Sequence, residues 1–271
     1  MRHFEKEYFV LRNGVKIPKI ALGTWQITGH QAYQSTIDAL NAGYLHIDTA
    51  LAYTNESEIG QAIKDSKLKR EELFITSKLP AEIKGYNETF EAFNRTMNNL
   101  GIEYLDLYLI HAPWPWDQIG KDCTKENIES WKAMIELYNE GKIRAIGVSN
   151  FDEKDIKALI DETNFTPLVN QIYYHPGCRR IEIEDYCKKN NILIEAYSPF
   201  ATGRIFSSKE LKNIADKYNV TVAQLALKWC LDRGTLPLPK SVHKERILEN
   251  LNLDFDISLT DLDLIDKVKL N

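Results

Sequence analysis

Four residues of this chain have types and spacing that could do acid-base chemistry: Asp48, Tyr53, Lys78 and His111, each at or just beyond the end of a short apolar run. A free tyrosine, with a pKa of about 10, is a poor acid at neutral pH, but an adjacent lysine cation stabilises the phenolate and lowers that value. Lys78 is expected to supply the cation. Asp48 would pair with it in a partly desolvated site where either charge alone is costly. A neutral His111 would orient a carbonyl oxygen from the other side. Together the set could protonate a developing alkoxide while hydride arrives at carbon. Singly, each residue has a plainer use: Asp48 as a cap, Lys78 as a rim lysine, Tyr53 and His111 as half-buried core. The combination carries the weight.

Competing constellations are weaker. His46, His111 and His175 with Asp48 resemble the ligand set of a metal-dependent barrel hydrolase. Yet His46 lies inside a strand, His175 precedes Pro176 in a loop, and Lys78 would set a cation beside the metal, so no metal is expected. Cys178 near His175 is similarly weak. Tyr138 and Lys142 have the Tyr-x-x-x-Lys spacing of a short-chain dehydrogenase. The first strand, however, is followed by Gly23-Thr24-Trp25 rather than G-x-G-x-x-G, and no G-x-x-x-x-G-K-[ST] loop occurs. That pair therefore reads as a solvated helix end.

The elements that must position these residues are legible as well. Phe9 and Leu11 before Asn13-Gly14, with Val15 and Ile17 after, signal a β-hairpin. Eight short apolar runs follow, at Lys19 to Leu22, Tyr44 to Ile47, Leu73 to Thr76, Leu105 to Ile110, Arg144 to Val148, Leu168 to Ile172, Ile192 to Ala196 and Leu236 to Leu238. They recur about every 31 residues, the size of one strand-helix-strand unit. Amphipathic stretches between them are punctuated as helices: Glu56 to Ile63 after Asn55, Thr89 to Leu100 before Gly101, Lys125 to Tyr138 before Gly141, and Asp261 to Val268. This alternation predicts an α/β fold, a single (β/α)8 TIM barrel over residues 1-271 with the hairpin closing its bottom. Chemistry in such a barrel sits where strands end. The expected ends are His46-Ile47-Asp48-Thr49, Ser77-Lys78, His111, Ser149-Asn150, Asn170-Gln171, Tyr197-Ser198-Pro199 and Lys240-Ser241.

The composition permits this. The chain has 271 residues, 44% hydrophobic and 27% charged, with 34 Lys+Arg against 39 Asp+Glu for a net charge of −5. That is an ordinary globular balance with no basic stripe for nucleic acid. Residues Met1 to Val10, with Arg2, His3, Glu5, Lys6 and Glu7, lack the apolar stretch of a signal peptide, and no window approaches the length of a membrane span. Cys123, Cys178, Cys187 and Cys230 form no C-x-x-C pair and read as reduced thiols. A cytoplasmic protein with no nucleic-acid or membrane partner is expected.

A resemblance sharpens the expectation. His46-Ile-Asp48-Thr-Ala-Leu-Ala-Tyr53-Thr-Asn-Glu56, Ser-Lys78, Leu-Tyr-Leu-Ile-His111, Gly147-Val-Ser-Asn150-Phe, Asn170-Gln171, Ala-Tyr197-Ser-Pro199 and Leu-Pro-Lys240-Ser-Val-His-Lys-Glu-Arg246-Ile-Leu-Glu-Asn250 together resemble the aldo-keto reductase family. The likeness runs from about residue 8 to the end. It is similar to short bacterial members that reduce methylglyoxal or diketogluconates. The resemblance implies a nicotinamide-dependent reductase with Asp48, Tyr53, Lys78 and His111 as its tetrad and Tyr53 as general acid. It implies that Ser149, Asn150 and Gln171 hold the nicotinamide carboxamide, that Tyr197 stacks on the ring, and that Arg246 meets the adenosine 2′-phosphate with Glu249 and Asn250 near the adenine. Gly23, Thr24, Ser198, Lys240 and Ser241 complete the expected cofactor set. Lys240 and Arg246 flanking Ser241 favour NADPH (or NADP+) over NADH, although the same residues with Lys244 also suit a solvated basic turn.

Two departures bear on the substrate. Ala112 stands where related members commonly carry tryptophan, and Phe200 where a leucine is common. Trp25, Trp114, Trp116 and Phe200 are the candidate pocket walls. The chain ends at Asn271 without the long tail of mammalian-type reductases, so an open pocket and small carbonyl substrates are expected: methylglyoxal, other α-dicarbonyls, simple aldehydes or keto-sugars. No heptad or large apolar stripe demands assembly, and a monomer is expected. The rival expectation is a nucleotide-binding redox-sensing or regulatory subunit with little catalysis.

Overall fold

The computed structural model describes residues 7–270. Met1 to Lys6 of the N-terminal stretch expected to lack a signal peptide, and Asn271, the end expected to carry no long tail, lie outside the described residues. The hairpin forms where Asn13-Gly14 demands it. Strands β1 (Tyr8–Val10) and β2 (Lys16–Pro18) pair antiparallel. Their turn is closed by Leu11 N–H donating to the Val15 carbonyl at 2.8 Å and Gly14 N–H to the Leu11 carbonyl at 2.8 Å.

Eight parallel strands then succeed one another in sequence order: β3 (Leu22–Gly23), β4 (His46–Asp48), β5 (Phe74–Leu79), β6 (Leu105–Ile110), β7 (Ile143–Ser149), β8 (Val169–Tyr173), β9 (Leu193–Tyr197) and β10 (Leu236–Leu238). Helices α1 (His30–Ala42), α2 (Glu56–Asp65), α3 (Tyr86–Leu100), α4 (Thr124–Asn139), α5 (Glu153–Thr163), α6 (Ile181–Lys189), α7 (Lys209–Lys217), α8 (Val222–Asp232), α9 (Lys244–Glu249) and α10 (Leu259–Asp266) surround them. Helix α3 stops where Gly101 takes φ 63° and donates back to the Met97 carbonyl, the left-handed cap expected of that glycine.

The barrel closes where β3 meets β10. Ala21 N–H donates to the Pro237 carbonyl at 3.3 Å and Gly23 N–H to the Pro239 carbonyl at 2.9 Å. Those prolines accept across the seam but have no N–H to return, so the seam is bonded in one direction only. This shortens β3 to two residues, later than the Lys19 to Leu22 expected from sequence. Gly23 is required here: a Cβ on it would lie 2.9 Å from the Leu238 carbonyl oxygen.

Strand alternation sorts side chains into two cores. Ile47, Ile75, Tyr108, Ile110, Ile146, Val148 and Ile194 face the helices. Phe74, Leu107, Leu109, Ala145, Val169, Leu236 and Leu238 fill the barrel interior, and Leu11 and Ile17 of the hairpin pack against them. The bottom is thus plugged, as the sequence predicted. Arg12 ties the hairpin down by donating to the Thr166 and Asn190 carbonyls at 2.8 and 3.3 Å. Among the described residues no helix is long and apolar enough to cross a membrane.

Candidate active site

Above the apolar plug the barrel interior turns polar. Asp48 ends β4, Lys78 lies one residue from the end of β5, and His111 follows β6; all three are buried. Tyr53 closes a single 3-10 turn at Leu51–Tyr53 beyond β4 and is half-buried. The Lys78 ammonium donates to Asp48 Oδ1 at 2.7 Å and to the Thr49 carbonyl at 2.8 Å, and its third proton faces the Tyr53 hydroxyl at 3.4 Å. His111 Nε2 meets that same hydroxyl from the other side, also at 3.4 Å. Lys78 and His111 therefore converge on the Tyr53 oxygen, and Asp48 reaches it only through Lys78.

Their electrostatics follow from burial and pairing. Burial alone would lower Lys78, but the Asp48 carboxylate and Tyr53 outweigh it, so the ammonium is held raised and charged. Burial, with help from Lys78 and Lys84, pushes His111 down to about 3, which leaves a neutral imidazole. Tyr53 departs from the sequence expectation. Burial raises it and Asp48 adds to the rise, while Lys78 opposes. A lysine already paired with a carboxylate offers a phenolate less than a bare cation would. Tyr53 keeps its proton at neutral pH.

The residues read as carboxamide contacts form a second layer. Ser149 Oγ donates to the Gln171 carbonyl at 2.8 Å. Asn150, in the left-handed region with φ 61°, donates to the His111 carbonyl at 3.1 Å and accepts from the Tyr197 hydroxyl at 2.8 Å. Gln171 Nε2 donates to Asp48 Oδ2 at 2.9 Å and to Glu195 Oε2 at 2.8 Å. Burial pushes Tyr197 up to about 12. Its ring sits at the rim beside Tyr173, 5.6 Å between centroids. Ser198, at φ 51°, turns the chain into the following loop. Thr24 is buried, with its hydroxyl and N–H both donating to the Asp48 carbonyl, at 2.9 and 3.1 Å.

At the end of β10, Lys240, Lys244 and Arg246 are exposed, and none has an ion pair or hydrogen bond through its side chain among the described residues. Ser241 is buried and accepts from His243 N–H at 3.1 Å. Glu249 is exposed, and buried Asn250 caps α9.

The aromatic candidates divide. The Trp116 ring stands edge-on to His111 at 5.6 Å and Trp114 packs behind it at 5.2 Å. Trp116 thus stands beside His111, whereas Ala112 is fully buried. Phe200 pairs with Phe206 at 5.7 Å, and Trp25 is 50% exposed; no ring contact joins either to the tetrad. His46 belongs to the core, its Nε2 2.9 Å from Thr76 Oγ1, and the His175 Nδ1 lies 2.7 Å from the Pro176 carbonyl. Among the described residues no three His, Cys, Asp or Glu side chains could hold a metal ion. Tyr138 sits at the opposite end of the barrel, where Asn13 of the hairpin reaches its hydroxyl at 3.4 Å.

Sequence reasoning passed over Glu195 and Lys84 and read Asn55 only as the residue before a helix. Glu195 interrupts the apolar Ile192 to Ala196 run two positions before Tyr197, a period-two signal that it shares the inward face. Asn55, buried, donates to the Thr24 and Ile27 carbonyls at 3.0 and 2.8 Å and so holds the loop that carries Trp25. Lys84 donates to the Ala112 carbonyl at 2.7 Å and braces the residue after His111; nothing in its sequence neighbourhood marks it.

The chain is also similar to known proteins. Residues 19–269 match the model of the Aldo/keto reductase family. The chain is 43% identical over 263 residues to the glyoxal reductase of Bacillus subtilis (strain 168), covering 96% of this chain and 92% of that protein. It is 39% identical over 261 residues to methylglyoxal reductase DkgA of Escherichia coli (strain K12), covering 95% and 92%. The crystal structure of a Bombyx mori aldo-keto reductase in complex with NADP superposes with TM-score 0.89 at 32% identity, covering 96% of this chain and 92% of that one.

Proposed function

We propose, from the premise that this chain belongs to the aldo/keto reductase family, that it is a single-domain enzyme, residues 1-271, reducing small aldehydes, ketones or α-dicarbonyls to alcohols with NADPH, Tyr53 giving the proton. The observation that carries this is the Tyr53 hydroxyl set between Lys78 and His111 at 3.4 Å each. Glyoxal and methylglyoxal, named for the relatives, are the first substrates to try.

The residues present suit a phosphorylated dinucleotide. Three exposed cations at the end of β10, free of partners among the described residues, match the charge of an adenosine 2′-phosphate. At the other end, Ser149, Asn150 and Gln171 would hold the carboxamide, and Tyr197 offers a flat half-buried face to the ring. Gly23, Thr24, Ser198, Lys240, Ser241, Arg246, Glu249 and Asn250 would line the rest of the groove. When bound, the cofactor supplies hydride to the carbonyl carbon.

The protein's own part is proton delivery. Neutral His111 and the Tyr53 hydroxyl face one point, where a carbonyl oxygen is polarised before charge develops on it. As that oxygen becomes alkoxide it is a stronger base than phenolate, and the Tyr53 proton moves to it. Lys78 then lies next to the phenolate and stabilises it, while Asp48 keeps the ammonium in place. Trp114 and Trp116 beside His111, with Trp25 and Phe200 as outer walls, would admit a small planar substrate and exclude water from it.

The test is loss of NADPH absorbance with methylglyoxal, phenylglyoxal and simple aldehydes, run beside Tyr53→Phe. Turnover that collapses in the variant is expected. Unchanged turnover in Tyr53→Phe would remove the acid from this scheme, and tight NADPH binding without turnover on any carbonyl would favour the sensing role.

A further inference from the structure

Among the described residues, Glu195 is the one buried acid in the barrel interior to which the scheme above gives no task. It is 0% exposed, on β9, level with Gln171 of the neighbouring β8. Its Oε2 accepts from Gln171 Nε2 at 2.8 Å, and its Oε1 has no partner. The same Gln171 nitrogen donates to Asp48 Oδ2 at 2.9 Å. A primary amide has two N–H donors and one carbonyl oxygen. Both donors of Gln171 are therefore spent on carboxyl oxygens below it, and what remains for the cofactor side is Oε1, an acceptor.

We infer that Glu195 is a positioning residue: with Asp48 it locks the Gln171 amide so that it offers only an acceptor to the cofactor, and so selects a nicotinamide whose 3-substituent carries N–H. Two features support the lock. Turning the amide over would bring its oxygen against the Asp48 carboxylate and leave the N–H groups without these acceptors inside the barrel, where an unmade hydrogen bond is expensive. A glutamic acid also retains a carbonyl oxygen that accepts whether or not it is ionised, which suits a carboxyl that burial and Asp48 push up to about 8. The inference rests on the cofactor assignment proposed above and adds the polarity of its carboxamide contact.

The experiment measures dissociation constants by quenching of tryptophan fluorescence, without turnover, for three probes. NADP+ carries a carboxamide. Its thionicotinamide analogue keeps the N–H groups and replaces the oxygen. Its 3-acetylpyridine analogue keeps the oxygen and loses the N–H groups. Wild type is expected to bind the first two alike and the acetyl analogue about tenfold more weakly, the effect of one lost hydrogen bond in a desolvated site. In Glu195→Met, similar in length but without a carboxyl acceptor, that ratio should fall below about threefold as the amide loses half its anchor. Glu195→Gln, which retains an accepting oxygen, should restore the wild-type ratio.

A wild-type protein that binds NADP+ and the acetyl analogue equally would overturn the inference while leaving the proposed function intact, and so would a Glu195→Met variant that keeps the wild-type ratio. Failure of wild type to bind any of the three would overturn the cofactor assignment and this inference together. Should Glu195→Met not fold, Glu195→Leu carries the same arm, and a wild-type ratio in it would overturn the inference.

Discussion

Two clusters of buried acids on one sheet show how differently a buried charge can be treated. Asp106, on the outer face of β6 near the bottom of the barrel, is 0% exposed and accepts from Arg70 at 2.7 Å, Arg144 at 2.6 Å and Ile75 N–H at 2.9 Å. One acid has two guanidinium partners and every contact is short. At the top the ratio is inverted: two acids, Asp48 and Glu195, lie near one ammonium, Lys78, which bonds Asp48 alone of the two, and the contacts to Tyr53 stretch to 3.4 Å. His111 Nδ1 and Glu195 Oε1 have no partner at all. The bottom cluster, in which both Asp106 oxygens are partnered although Arg70 Nε is not, holds β5, β6 and β7 together. The unsaturated one keeps hydrogen-bonding capacity in reserve, which costs stability and suits a site that must accept a substrate oxygen.

The sharpest way to break this contrast is to remove one member from each cluster. Tyr53→Phe should lower kcat about 10³-fold, in the range for general acid catalysis, and leave Tm within about 2 °C because only long contacts are lost. The converse substitution is Asp106→Ala. It should cost about 2 kcal/mol, reduced from the usual loss for a broken buried pair because Arg144 is partly exposed, or roughly 5 °C in Tm, with kcat within about twofold of wild type. Calorimetry and NADPH-coupled kinetics on both proteins would settle it. A kinetic defect in Asp106→Ala as large as its stability loss would erase the distinction.

The same contrast explains what was legible in the sequence. The apolar periodicity that fixes the strands is local, and the segments Leu105–Ile110 and Leu236–Leu238 fall where their residues predict. The four residues were legible because Asp48, Lys78 and His111 lie at or beside strand ends and Tyr53 sits on the turn just beyond one, and a parallel barrel brings such ends together. The seam was not, because β3 is shortened by prolines more than two hundred residues away. The direction of the Tyr53 shift was also hidden: sequence shows a lysine nearby but not how far Asp48 has already neutralised it or how deep the hydroxyl lies. Lys84 was invisible for a similar reason, since its partner is a backbone carbonyl that composition does not reveal.

A smaller effect is expected at the proposed adenosine end of the cofactor groove, where the charges are neither paired among the described residues nor buried. Arg246→Ala should raise the KM for NADPH about tenfold, by loss of charge-assisted contacts to phosphate, and leave kcat and the KM for NADH unchanged. Equal weakening toward both nucleotides would assign Arg246 to the shared part of the cofactor and leave the 2′-phosphate to Lys240 or Lys244.

The smallest expected effect tests the charge inversion itself. Burial first, and Asp48 second, push the Glu195 carboxyl from 4.5 up to about 8. Between those values the folded protein holds a proton that the unfolded chain has released, so stability falls as pH rises through that window. His46 and His111 work in the opposite sense. Burial takes both from 6.5 down to about 3, and stability rises with pH across that interval. Above pH 6.5 only the Glu195 slope remains of the three. Wild type should therefore lose roughly 3 °C in Tm between pH 6.5 and 9, about 1 kcal/mol for a chain of this size, whereas Glu195→Gln, which has no proton to lose there, should hold its Tm. The charge that appears as Glu195 ionises also disfavours the Tyr53 phenolate, so an alkaline decline in kcat of about threefold, absent in Glu195→Gln, should accompany the thermal one. Identical alkaline behaviour in the two proteins would mean that Lys78 balances both acids, and that the top of the barrel is as well satisfied as the bottom.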